Sequence, residues 1–454
     1  MYERYEIETA EAPPVRPVPN KFYPKVGRWG LAKTLIREAL HYRFDKEMLL
    51  ARPCIYGVFS GPLGGFMPRR GLCVGCMRCV QEYPEFCEVL VDERYKALGD
   101  SYFGPHAVTT LNYEATTGKI PVKGVGYKGR FAGEGFDAMW TDMSEIVRPT
   151  RDGIFGREYI STVVDVGRKP IRLVPGSLAP MGEPLVEIPV PFLFDPLPVS
   201  LDREDASLAA RRAAERVRTY SIVPAGRIPQ GSSAGIAPLL RASEAASLPP
   251  GPWPLIEFQE PVPGECSRIR KVFPESVAIA RLPLGADTLG RVLELADAGL
   301  GSFHLTADYH GRCADGLFVF DAVRRLHEAL MEKGVREELT LIVSGGIVRA
   351  EHVPKIIIGG ADLVALDTPL WVAMGGEIEG EFLSAGRGTM DIPPVEEGWG
   401  AQRVVNFCAA WRNQLLEILS AMGLREVRRL RGELGRAIFF EEMEKEDFGD
   451  LGRG

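Results

Sequence analysis

Between residues 185 and 366, short apolar runs alternate with amphipathic ones, and this alternation constrains the fold more than any other feature of the chain. Residues 220–223, 255–258, 277–281, 303–307, 339–343 and 363–366 are dominated by Val, Ile, Leu, Phe and Ala. With 189–194, they are too short for buried helices and read as buried strands. Helical runs at 203–218, 288–298, 317–333 and 350–358 separate most of them, the first with Asp202 placed as its N-cap. Strand then helix, repeated roughly seven or eight times, is the pattern of a (β/α)8 TIM barrel. A doubly wound open sheet is the alternative, because periodicity does not distinguish a closed sheet from an open one.

The barrel run uses less than half of the 454 residues, so at least two structural units are expected. The formal net charge of −7 argues against a nucleic-acid partner, which would want a basic face. No uncharged apolar run approaches the roughly 20 residues of a membrane span. The start, MYERYEIETAEAPP, carries charge where a signal peptide has its apolar region. The expectation is a cytoplasmic protein without a membrane partner. That compartment is reducing, so the eight cysteines are not expected to form disulfides.

Three of them stand at consecutive two-residue gaps, Cys73-Val-Gly-Cys76-Met-Arg-Cys79, with Cys87 shortly after. Such gaps let three thiolates converge on one cube of iron and sulfide, and Gly75 permits the tight backbone that wraps it. Zinc is the rival, but zinc sites usually pair two distant knuckles. Buried unliganded thiols account poorly for three cysteines this close. The bacterial ferredoxin run continues C-x3-C-P; here Tyr83 stands at that cysteine and Pro84 follows. A single [4Fe–4S] cluster is therefore expected on Cys73, Cys76 and Cys79, with Cys87 the nearest fourth ligand and Cys54 the alternative.

Around these features the chain divides into an N-terminal arm and helix (1–70), an iron–sulfur segment with a loop-rich wrap (71–180), the barrel (181–400) and C-terminal helices (401–454). The last part is expected to hold a long helix at 402–422 and a second, Arg-rich helix at REVRRLRGELGRA. Glu426 and Glu433 interrupt that charge, which favours a face packed on the barrel over a basic binding site.

Three stretches carry a family resemblance: 139–170, SGGIVRAEHVPKIIIGGADLVAL at 344–366, and QRVVNFCAAWRNQLLEILSAMGLREVRRLRGE at 402–433. They resemble the FMN-binding domain of glutamate synthase and its archaeal-type relatives, which place a ferredoxin segment ahead of the barrel. The resemblance spans roughly residues 70–440. It implies an oxidoreductase acting on a CH–NH2 group, with FMN at the C-terminal ends of the barrel strands. There the flavin passes electrons between the cluster and a 2-iminoglutarate intermediate, supplied by a ferredoxin or another subunit. A flavin converts two-electron chemistry into one-electron steps that a cluster accepts.

The strand at 339–343 runs into Ser344-Gly345-Gly346, where FMN phosphate is expected on backbone N–H groups. Gly360 and Thr368 are the further cofactor contacts. Other positions depart from the family pattern. The strand that presents a Lys reads Val277-Ala-Ile-Ala-Arg281; the first strand, FLFDPLPVS, lacks a Ser-Phe-Gly turn; and Asp367 puts a carboxylate near the phosphate position. At the end of the strand at 303–307, Asp308, His310 and Arg312 are the catalytic candidates, for acid–base work or for holding an anion. His304, inside the apolar run, reads instead as a buried histidine satisfied by hydrogen bonds. Met1-Tyr2 offers no N-terminal Cys nucleophile, so glutamine hydrolysis by this chain is not expected. Against the enzyme stands a non-catalytic reading: an electron-transfer or assembly subunit that keeps the cluster but not FMN.

Overall fold

Each apolar run is too short to bury itself, and the solution is closure. The computed structural model describes residues 5–45, 54–121, 135–141, 157–169, 184–197, 203–228, 234–249, 251–381, 389–440, 442, 443 and 445. The N-terminal part contributes β1 (Phe22–Val26), α1 (Arg28–His41), β2 (Cys87–Val91) and α2 (Pro105–Thr117). The barrel strands are β3 (Phe192–Phe194), β4 (Ser221–Pro224), β5 (Ile236–Leu240), β6 (Leu255–Gln259), β7 (Val277–Pro283), β8 (Ser302–Thr306), β9 (Thr340–Ser344) and β10 (Leu363–Leu366). These eight form one closed barrel in chain order, with β10 returning beside β3 through Val364↔Phe192. All pairings are parallel. The expected TIM barrel is the fold; the open sheet is not.

The helices are α3 (Glu204–Val217), α4 (Pro263–Val272), α5 (Thr288–Asp297), α6 (Val319–Glu332), α7 (His352–Ile358), α8 (Thr368–Ala373) and α9 (Glu397–Ala421). The proposed cap Asp202 lies outside the described residues. Strand β5 was not expected, because Pro238 in its middle lacks the N–H that a central strand normally donates. It follows β4 through a 3-10 turn, Ala225–Arg227, and leads to β6 through another, Ala242–Ser247. In place of helices, Ala242, Ala245, Leu248 and Trp253 form a separate apolar cluster with Ile236, Ile256 and Phe258.

The long helix α9 packs on α2 and α3 and also fixes the N-terminal arm. Fully buried Arg403 donates to Asn112 Oδ1 (2.9 Å) and to the Ala12 carbonyl (2.7 Å). Asn406 donates to the Ala10 carbonyl (2.6 Å) and accepts from the Ala10 N–H (3.2 Å). The Arg-rich tail corrects an expectation: it forms two short 3-10 turns, Val427–Leu430 and Leu434–Arg436, and not a helix. Its arginines go to separate acids, Arg428 to Asp165 and Arg431 to Asp362 (both 2.9 Å), and Gly432 between the turns has φ +72°. No helix among the described residues is long and apolar enough to cross a membrane.

Candidate functional site

Strands β3 and β7 are not neighbours, so a contact between them spans the barrel interior. Arg281 on β7 makes that contact. Its guanidinium donates to both carboxylate oxygens of Asp195, just after β3, at 2.7 and 2.9 Å. The same group donates to Glu257 Oε1 on β6 (2.9 Å). His304 on β8 pairs its Nδ1 with that oxygen (2.8 Å) and its Nε2 with Ser344 Oγ on β9 (3.0 Å). Glu257 and His304 are fully buried, and Glu257 Oε2 has no partner among the described residues. Burial alone would raise both carboxyls, but the charges of Arg281 and His304 hold Asp195 and Glu257 below their ordinary values. Burial likewise opposes the charge on Arg281, and the two carboxylates more than offset it. The result is a fixed, nearly neutral polar lattice under the C-terminal mouth.

Sequence reasoning placed His304 as a satisfied buried histidine, which describes its position. It missed Asp195 and Glu257 and read Arg281 only as a departure from the family's Lys. The available signal was a lone charge inside each of two apolar strands, LIEFQ and VAIARLP.

At the end of β9, Ser344 leads into Gly345 (φ +98°) and Gly346 (φ +70°), backbone that only glycine adopts without strain. The N–H groups of Gly345, Gly346 and Ile347 donate to no described residue. Such a row of free donors is an anion-binding concavity. Tyr102, from the N-terminal wrap, donates its hydroxyl to the Gly346 carbonyl at 2.6 Å. After β10, Asp367 caps α8 by accepting from the Thr368 N–H. Burial, then the charge of Asp195, pushes the Asp367 carboxyl up toward its neutral form. Thr368 thus sits at the mouth with its N–H already bound. Gly360 does not join this group: it precedes β10 at the opposite end, where its carbonyl accepts from Arg336 at 2.6 Å.

Asp308, His310 and Arg312 share one loop after β8 but are not gathered into one constellation. Asp308 Oδ1 accepts from the backbone N–H of His310 (2.9 Å) and of Arg312 (2.7 Å), so this exposed carboxylate shapes its own turn. The His310 ring leans on Tyr102 and Tyr309, with Nε2 3.6 Å from Asp100 Oδ2. Arg312 lies over the Phe318 ring. A cavity of about 1110 Å³, counting its open side, lies beside this mouth between β3, β4 and α3, with Asp195, Ser221, Arg211 and Arg227 in its lining.

The cysteines converge. Cys54, Cys73, Cys76 and Cys79 line one small cavity together with Gly75 and Met77. Gly75 (φ +72°) and Met77 (φ +61°) are both left-handed, which folds the loop back on itself. Cys87, at the start of β2, is not in that lining; it shares a second, apolar pocket with Cys79, Phe59, Tyr83 and Phe86. No three His, Cys, Asp or Glu side chains among the described residues form a single-ion site.

Residues 307–425 match the conserved region in glutamate synthase. The archaeal glutamate synthase (NADPH) of Methanocaldococcus jannaschii is 32% identical over 128 residues, 27% of this chain and 25% of that enzyme. The archaeal-type glutamate synthase (NADPH) of Thermotoga maritima is 22% identical over 490 aligned positions, covering 89% of this chain and 94% of that one. Among solved structures, a lactate oxidase of Pediococcus acidilactici aligns over 57% of this chain and 81% of its own, with TM-score 0.41 and 14% identity. The conserved region at the C-terminal half of the barrel, and the match that runs nearly end to end at low identity, make this chain a glutamate synthase-related protein.

Proposed function

We propose that this protein is an iron–sulfur flavoprotein oxidoreductase of the glutamate synthase type, acting on a 2-imino or 2-oxo acid with electrons from a carrier protein. The observation that carries the reading is the thiol set: four cysteines around one cavity, in a segment ahead of a barrel with the conserved synthase region. Cys73, Cys76 and Cys79 would hold three corners of a [4Fe–4S] cluster. Cys54 shares their cavity, whereas Cys87 lines a separate apolar pocket beside Cys79. Cys54 is therefore the better-placed fourth ligand, with Cys87 lying beside Cys79.

For FMN, the donors at Gly345, Gly346 and Ile347 fit a phosphate, and burial raises the Asp367 carboxyl, which lessens its repulsion of an anion. The flavin supplies the conversion between paired and single electrons. The chain's own residues do the rest. The Arg281–Asp195–Glu257 lattice fixes the floor of the mouth without solvent reorganisation. His304 and Ser344 form a hydrogen-bonded pair at the base of the phosphate turn. Arg211 and Arg227 line the adjoining cavity beside Asp195 and Glu204, and their guanidinium groups would take a carboxylate substrate.

One observation favours a second reading, a subunit with the cluster but no flavin: Asp367 occupies the N–H at the start of α8 that a phosphate would otherwise take. Anaerobic purification separates the two. Iron, sulfide and extractable flavin near stoichiometric amounts, with glutamate formation driven by reduced ferredoxin, support the enzyme. Iron without flavin supports the subunit. Cys76→Ser and Cys54→Ser are expected to lose the cluster, and Cys87→Ser to retain its iron. Full iron in Cys76→Ser would overturn the ligand set.

A further inference from the structure

Helix α1 has two faces of different fate. Leu31, Thr34, Leu35 and Glu38 face the cysteine segment, where Tyr83 donates to Glu38 at 3.1 Å. On the opposite side Trp29, Ile36 and Leu40, spaced to share one stripe, are 90%, 64% and 66% exposed. The loops that carry the cysteines add Ile55, Met67 and Met77, also exposed. An apolar surface of this extent on a folded chain marks an interaction site.

Its charge says what it meets. Residues 16–91, through the end of β2, hold twelve Lys and Arg against six Asp and Glu, in a chain whose net charge is −7; Lys25 and Arg78 are taken up by Glu88 and Glu82. Lys33 and Arg37 on α1, with Arg69 and Arg70 ahead of Cys73, are exposed and have no carboxylate partner among the described residues. A second copy of this chain would set like charge against like, so this face does not pair with itself. A bilayer would seal the cysteine loops from any electron carrier.

We infer that this basic, apolar face around the cysteines is the docking surface for an acidic one-electron carrier protein. The inference rests on reading the cysteine set as an electron port, and it adds the surface and the chemistry of the partner. Lys33, Arg37, Arg69 and Arg70 steer the carrier, and the Trp29–Ile36–Leu40 stripe buries against it. The carrier arrives reduced, gives up one electron and leaves oxidised; two dockings deliver the pair that a two-electron reduction consumes.

The test is titration calorimetry of the full-length protein, purified anaerobically, with an oxidised plant-type [2Fe–2S] ferredoxin as the acidic probe. Binding should weaken by about tenfold or more between low and high salt, because the Debye length shrinks from roughly 30 Å to 3 Å. Lys33→Glu/Arg37→Glu should weaken it by about tenfold at low salt, with cluster absorbance unchanged. Trp29→Ala should weaken it at every salt concentration. Salt-independent binding, or equal affinity of the charge-reversed protein, overturns the proposal. So does capture by phosphatidylserine vesicles without ferredoxin binding, or a dimer that the charge reversal dissociates. An iron-free preparation that still binds ferredoxin keeps the docking surface and removes the electron-port reading; an iron-loaded one that ignores ferredoxin does the reverse.

Discussion

Arg281 illustrates how a single residue decides what the barrel interior can be. Its charge was visible in VAIARLP, since a charge inside an apolar strand must be paired or it would not be tolerated. Its partners were not visible: Asp195 lies 86 residues away and Glu257 24 residues away, and only closure of the barrel brings both to it. The same limit applies to Asp308 and His310, which sequence proximity suggested as a pair and which the loop turns to different partners. Removing Arg281 strips Asp195 of its two-pronged partner and leaves Glu257 with His304 alone. Arg281→Met should cost about 3–5 kcal/mol in urea unfolding at neutral pH. Adding Glu257→Gln to it should recover part of that loss, because one of the stranded charges is gone. If the double variant is as unstable as the sum of the two single ones, the lattice is not a coupled unit.

At the scale of elements, the long periodic helices were legible and the irregular ones were not. α3, α5, α6 and α7 followed from spacing, while α2 was lost in a Gly- and aromatic-rich stretch and β5 behind its proline. The tail failed for an electrostatic reason: its arginines bridge to the barrel's N-terminal end, and that bonding overrides helix propensity. Here Arg336 and Arg431 both meet Asp362, and Arg336 Nε donates to His327 Nδ1 on α6 at 3.1 Å. Burial and then the neighbouring Arg336 and Arg431 bring His327 down to about 4, against opposing contributions from Asp362 and Glu337. The folded state therefore prefers the neutral imidazole. Its contribution is fully present above the unfolded value of about 6.5 and is lost as pH falls through 4. Thermal and urea midpoints should fall across that window by the equivalent of about 3 kcal/mol. His327→Gln should flatten the dependence between pH 6.5 and 4; an unchanged slope would assign it to other groups.

At the scale of the whole molecule, a cysteine segment and a barrel are joined by a short stretch of wrap, and the join is where a sequence says least. The cysteine spacing and the Ser344-Gly345-Gly346 turn each stood out alone, but nothing in either pointed to Tyr102, which sits between them in the chain and bonds to the second. Asp100 shapes this stretch by accepting from the N–H groups of Tyr102 and Phe103 at 2.9 and 2.6 Å, and Ser101 is tied to Glu381 at 3.0 and 2.8 Å. Tyr102 then places its ring against His310 and its hydroxyl on the Gly346 carbonyl. Holding that carbonyl fixes the peptide that precedes Ile347, and so orients the free N–H row. Tyr102→Phe keeps the ring and removes the bond, a loss of about 1 kcal/mol. FMN titrated into flavin-stripped protein, followed by quenching of its fluorescence, should bind about fivefold more weakly to the variant, by that same energy. Iron content should stay unchanged, because the substitution leaves the cysteine loops untouched. Equal flavin affinity would mean that Gly345 and Gly346 hold the turn unaided. Loss of iron with flavin affinity intact would mean that the wrap serves the cysteine segment and not the barrel mouth.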